Sequence, residues 1–225
     1  SDSSPFECTT DDLVLADLPG KNAKRLSVRQ YENTLVDLLA LSINPSNAQS
    51  LVSGALNNNP IPADMSDTFN RENNIFNGQH GSAYFSLAHE LAESLVSSHF
   101  NNLIVNFINL NPGSCSNPDP NNLSQVCKNQ WVRNFVSRAF RRPIREGSLN
   151  LTDSDGMAID ELAQYYSEFN SGSDREAVDR ILFRVFMAPH FLFQIEDQDL
   201  VAPTNLDPSI HHLTSFAIAA RLSYR

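Results

Sequence analysis

The sequence predicts an all-α protein, and three observations carry that expectation. Apolar residues recur at steps of three and four through most of the chain, which lines them along one face of a helix. Serine, asparagine and proline stand where a helix start needs a side-chain acceptor or a residue without an N–H. No stretch alternates apolar and polar residues as a half-buried strand would. The expected architecture is an irregular multi-helix bundle with long Asn/Pro-rich loops and no significant sheet.

Residues 1–24 are polar, carry Pro5, Pro19 and Gly20, and read as an irregular lead-in. The first helix opens at Ser27, where Gln30 three residues on completes a capping box. Val28, Tyr31, Leu35, Leu38 and Leu39 form its apolar stripe, up to about Leu41. A weaker helix is expected over Ser46–Leu56, with Pro45 at its first turn. From Asn57 to Gly81 the chain reads as a loop rich in Asn, Asp and Pro; loops this long are usually functional or packed on a surface.

A long helix follows over Ser82–Leu110, with Phe85, Ala88, Leu91, Ala92, Leu95 and Val96 on one side, until Asn111-Pro112-Gly113 ends it. The next spans Ser124–Arg142 and stops before Pro143, which pushes its predecessor out of helical geometry. Another opens in the Thr152–Asp155 cap region and carries Ile159, Leu162, Tyr166 and Phe169. A further helix runs from Asp174 through Val178, Ile181, Leu182, Val185 and Phe186 towards Pro189, and a last one covers Thr214–Arg225. This organisation suggests a lead-in over 1–24, a first helical module over 25–110, a second over 111–170 and the start of a third over 171–225.

With 16 basic and 26 acidic residues the formal net charge is -10. That balance argues against a nucleic-acid surface, because phosphate binding needs a basic stripe. No apolar run reaches the roughly 18 residues of a membrane span. Yet five arginines fall between Trp131 and Arg145, interleaved with Trp131, Val132, Phe135, Val136, Ala139 and Phe140. Guanidinium groups on a core helix need partners. Arg138, Arg141 and Arg142 are therefore expected to tie helices together through acids such as Glu32, Asp37, Asp179 or Glu196; an anion clamp is the alternative.

Cys115 and Cys127 flank a loop containing Asn117-Pro118-Asp119-Pro120, a place where a disulfide staples two helices. Two free thiols are the alternative, and Cys8 has no partner in this scheme. The start Ser1-Asp2-Ser3-Ser4-Pro5 is compatible with removal of a signal peptide. These features together favour a periplasmic or extracellular location.

Three segments carry a family resemblance. The stretch from Arg25 to Leu39 (RLSVRQYENTLVDLL), the stretch from Phe135 to Ile144 (FVSRAFRRPI), and Ala188–Glu196 (APHFLFQIE) with Leu213-Thr214 and Ala219–Tyr224 occur in this order. They resemble the opening, second and third modules of the planctomycete-type cytochrome family, whose domains are largely of unknown function. The resemblance implies an exported redox or electron-transfer protein, an oxidoreductase if it is an enzyme. Its later portion would carry a Cys-x-x-Cys-His attachment site for haem c. No such motif occurs here, so these residues do not attach haem covalently. The end at Arg225 inside a helical pattern suggests a fragment of a longer polypeptide. The remaining C-terminal portion and a redox partner are then the expected partners.

Within that resemblance His190, after Pro189 and before Phe191, is a candidate axial haem ligand, and His80 beside Gly81 is a second. The same family reading lets the arginine cluster receive haem propionates. Three further patterns are partial. His89 and Glu93 begin like a zinc-protease helix whose second histidine is replaced by Glu93. Asp153 and Asp155 resemble half of a calcium loop whose twelfth position falls on Gln164. Helix capping is the simpler role for these acids. A non-catalytic module associated with a polysaccharide-active surface protein is the competing reading of the whole chain.

Overall fold

Local chemistry sets the first helix. Ser27 Oγ accepts from Gln30 N at 3.2 Å and Gln30 Oε1 accepts from Ser27 N at 3.0 Å, closing the capping box around α1 (Val28–Leu39). The computed structural model describes residues 24–63, 77–111, 113–144 and 160–194. In α1 the buried positions are Tyr31, Thr34, Leu35, Leu38 and Leu39, the stripe expected from spacing with Thr34 added. Asn44 caps α2 (Pro45–Asn58), with Pro45 in the first turn as expected. Its buried residues Ala48, Val52 and Ala55 are small, which lets α2 lie close on α1 and α3.

α3 (Gly78–Leu110) is the central helix, 33 residues long, in contact with α2, α4 and α6. It starts a turn earlier than the apolar pattern indicates. Asn77 Oδ1 accepts from His80 N at 3.1 Å, so a side-chain cap sets the start, and a cap leaves no periodic signature. α4 (Gln125–Phe140) is the arginine helix, capped by Ser124. α5 (Glu161–Tyr166) is capped by Asp160 and continues as a short 3-10 turn to Asn170. α6 (Asp174–Met187) follows a second capping box between Ser173 and Glu176, and α7 (Pro189–Leu192) is a single turn. The predicted all-α class holds among the described residues. The one sheet there is a pairing of two-residue strands, β1 (Lys24–Arg25) and β2 (Phe193–Gln194), beside which Leu26 N donates to Leu192 O at 3.0 Å.

The core lies where α4 and α6 meet α3. Trp131 stacks on Phe135 at 5.2 Å between centroids, and Phe135 meets Phe107 edge-on at 5.2 Å and Phe186 at 6.4 Å. All four side chains are fully buried. Each such ring stabilises the fold by about 1.5–3 kcal/mol through area removed from water.

The end of α3 exposes carbonyls with no helical partner, and side chains of α4 meet them. Asn134 Nδ2 donates to Phe107 O at 2.8 Å and Gln130 Nε2 to Ile108 O at 3.3 Å; one turn back, Trp131 Nε1 donates to Leu103 O at 3.2 Å. Cys115 and Cys127 sit at disulfide distance, S–S 2.06 Å, both buried, and staple the connecting loop to the first turn of α4.

Arg25–Phe193 forms one compact unit; the other unit joins Ser1–Lys24 and Gln194–Arg225, of which only Lys24 and Gln194 are described. No helix among the described residues is long and apolar enough to cross a membrane. The expected lead-in, Cys8, the calcium-loop residues Asp153 and Asp155, and the last helix all lie outside the described residues.

Candidate functional site

Three segments far apart in sequence meet at one place. α1 presents Tyr31 and Thr34. Just past α4 the chain presents Arg141 and Arg142, and α7 presents His190 and Phe191. Tyr31 meets Phe191 edge-on at 5.7 Å, Arg141 Nη2 donates to Thr34 Oγ1 at 2.6 Å, and Phe140 lies 5.3 Å from the His190 ring. Every pair of the three segments is thus in direct contact.

The backbone after α4 explains how two adjacent arginines serve different neighbours. Arg141 adopts the left-handed conformation, φ 55°. Its N–H donates to Arg138 O and the N–H of Arg142 to Ser137 O, the pair of bonds that closes a helix end when a glycine follows. A non-glycine residue there costs roughly 1–2 kcal/mol. The turn sends Arg141 back to Thr34 on α1 and Arg142 on to α5. There Arg142 forms a two-pronged bond with Glu161, at 2.8 and 2.6 Å, with both side chains largely buried. Glu161 is not among the four acids expected from sequence. Arg138 remains exposed in the last turn of α4, where a cation meets the negative end of the helix dipole.

A charged belt continues from Arg142. Arg184 lies over the Tyr165 ring at 4.9 Å and donates to Glu168 at 2.6 Å, while Arg180 Nε holds the other Glu168 oxygen at 2.9 Å. Burial pushes the Glu168 carboxyl up, but the bonds from Arg180 and Arg184 outweigh it and hold the group below the usual carboxylate range. The Tyr165 phenol is pushed up to about 12, chiefly by burial; Arg184 and Arg142 oppose the shift and Glu161 reinforces it.

Behind the contact point is a buried cluster of polar side chains. Arg25 is almost wholly enclosed, and its Nη1 donates to Tyr84 Oη at 3.1 Å. Tyr84 packs edge-on against Tyr31 at 4.8 Å. The Tyr31 hydroxyl is fully buried and has no hydrogen-bond partner among the described residues. Burial, with Tyr84 beside it, raises its pKa far above the ordinary range, so the phenol stays neutral.

The two candidate ligand histidines have different settings. His190 is half-buried, with its ring tilted against Phe140. His80 is buried in the first turn of α3, not in a loop, and its Nδ1 lies 2.8 Å from Asn77 Oδ1. The amide oxygen is an acceptor, so in this contact Nδ1 donates. His89 and Glu93 stand exposed, with side chains 65% and 76% accessible and 3.9 Å apart. Among the described residues no group of three His, Cys, Asp or Glu side chains is placed to hold a metal ion, so this pair gains no third ligand there.

Sequence reasoning missed Arg25, Tyr84, Thr34 and Glu161 as members of the cluster. Tyr84 and Thr34 lie on buried helix faces and read as core, and only tertiary contact reveals their polar atoms. Asp160 followed by Glu161 carried a detectable signal, a capping residue with an acid in the first turn. No family model, curated protein or solved structure matches this chain.

Proposed function

We propose that this chain is the N-terminal helical scaffold of an exported c-type cytochrome-like protein, against which a haem-bearing module of the same polypeptide docks. The observation that supports this reading is the convergence of the three family-like segments. Their described parts, with Thr34 and Arg141 at sequence separation 107, touch through Arg141, Phe140, His190, Tyr31 and Phe191. The disulfide pair agrees with an exported protein but does not fix a compartment.

His190 suits an axial ligand better than His80 does. Its imidazole is partly accessible and backed by the Phe140 ring, whereas His80 is enclosed. A bound haem would supply one-electron chemistry; the part of these residues is to offer the imidazole and to keep the arginine belt rigid beside it.

The test is a haem-stained gel and an absorbance spectrum of the full-length protein, wild type and His190→Ala. The reading expects covalent haem and an altered Soret band in the variant. An unchanged spectrum removes His190 as ligand. A colourless full-length protein retained on insoluble polysaccharide replaces the reading with the scaffold alternative.

A further inference from the structure

Aromatic rings at the edge of the core follow a pattern in this molecule. Lys128 lies over Phe169 at 5.2 Å, Arg142 over Phe140 at 5.5 Å, Arg175 over Phe100 at 4.3 Å and Arg184 over Tyr165 at 4.9 Å. Each ring is roofed by an internal cation, which the negative face of the π system attracts.

One ring pair departs from the pattern. On the seam between the antiparallel helices α3 and α6, Phe85 meets Phe183 edge-on at 5.1 Å, and no lysine or arginine among the described residues lies over either. Phe85 is 52% exposed, the most accessible of the large apolar side chains described. One and two turns along α3 stand His89 and Glu93, and one turn back along α6 stands Asp179. The His89 ring is 6.4 Å from Phe183 and 3.9 Å from Glu93. Burial raises the Asp179 carboxyl above its ordinary range, a shift that Glu93 reinforces and that His89 and Arg180 oppose. The two arginines that flank Phe183 in sequence, Arg180 and Arg184, are both engaged by Glu168, and Arg180 also acts on Asp179. This aromatic pair lies beside two carboxylates, on a chain of net charge -10, without the cation that Phe169, Phe140, Phe100 and Tyr165 have.

We propose that the Phe85–Phe183 seam is a docking point for a basic segment of a protein partner, which seats a lysine or arginine over the ring pair within reach of Glu93 and Asp179. The surface is independent of the haem reading and stands or falls without it. The carboxylates steer the encounter, and the exposed ring supplies the apolar contact that holds the cation's methylene stem.

The test uses the full chain and a fluorescein-labelled peptide of alternating lysine and leucine, titrated by anisotropy at low and high salt. Binding is expected for the lysine peptide and absent for its lysine-acetylated form. Phe85→Ser is expected to weaken it about two- to fivefold, the exposed-site worth of one cation–π contact. Glu93→Gln should weaken it and reduce its salt dependence, while Leu41→Ser, a second exposed apolar position, should leave it unchanged. Circular dichroism checks that each variant folds. Binding that Phe85→Ser does not weaken, that Leu41→Ser weakens equally, or that the acetylated peptide reproduces overturns the proposal.

Discussion

Two residues show how single side chains carry more than packing. Tyr31 buries a hydroxyl without a hydrogen-bond partner among the described residues. A buried unsatisfied polar group costs about 1–3 kcal/mol, so removing it should not hurt stability. Tyr31→Phe is expected to match or exceed wild-type stability in urea unfolding, whereas Tyr31→Ala should lose about 3–5 kcal/mol through the cavity it leaves. A Tyr31→Phe variant that falls by as much as the alanine variant would mean that the hydroxyl has a partner. Arg141 combines a left-handed backbone with a bond to Thr34. Both Arg141→Gly and Arg141→Ala lose that bond, but only glycine relieves the backbone. The glycine variant should therefore be the more stable of the two by about 1–2 kcal/mol, the reverse of the order seen inside a helix. An alanine variant as stable as the glycine one would contradict the left-handed assignment.

At the level of elements, the contacts that fix one helix on another are polar as well as apolar. Glu168 joins the end of α5 to α6 through Arg180 and Arg184, and its folded-state pKa is depressed. Its contribution is present above the unfolded-state pKa and is lost as pH falls through the folded-state value. Glu168→Gln should flatten the acid limb of the stability–pH profile and leave the neutral-to-alkaline part parallel to wild type. An acid limb of unchanged slope would show that the clamp does not contribute. The Cys115–Cys127 staple closes a loop of sequence separation 12 where α4 caps the end of α3. Replacing both cysteines with serine should cost about 3 kcal/mol in the chain-entropy model, read as a lower denaturant midpoint. Element boundaries were less legible than element types. The helix stripe of α1 and its capping box were evident from Ser27, Gln30 and the leucines. The start of α3 was not, because Asn77 sets it through one hydrogen bond that apolar spacing does not report.

At the scale of the whole molecule, the unit Arg25–Phe193 begins and ends side by side, joined where Leu26 donates to Leu192. A chain whose ends meet outside a continuous core is expected to fold when excised. A fragment spanning residues 25–193 should unfold cooperatively with a helical circular-dichroism spectrum; a non-cooperative melt would show that the core needs the other unit. The sequence by itself determined the helical class, the order of the helices among the described residues and the cysteine pair, because apolar periodicity, caps and loop composition are local properties. Only the tertiary structure decided that Arg141 reaches Thr34, that Arg142 takes Glu161 and that Phe140 backs His190. It also left Phe85 uncovered beside Glu93 and Asp179. These pairings depend on helix crossings and on one left-handed residue, so spacing along the chain does not encode them in readable form. The arginines announced that partners were needed, and the fold chose them.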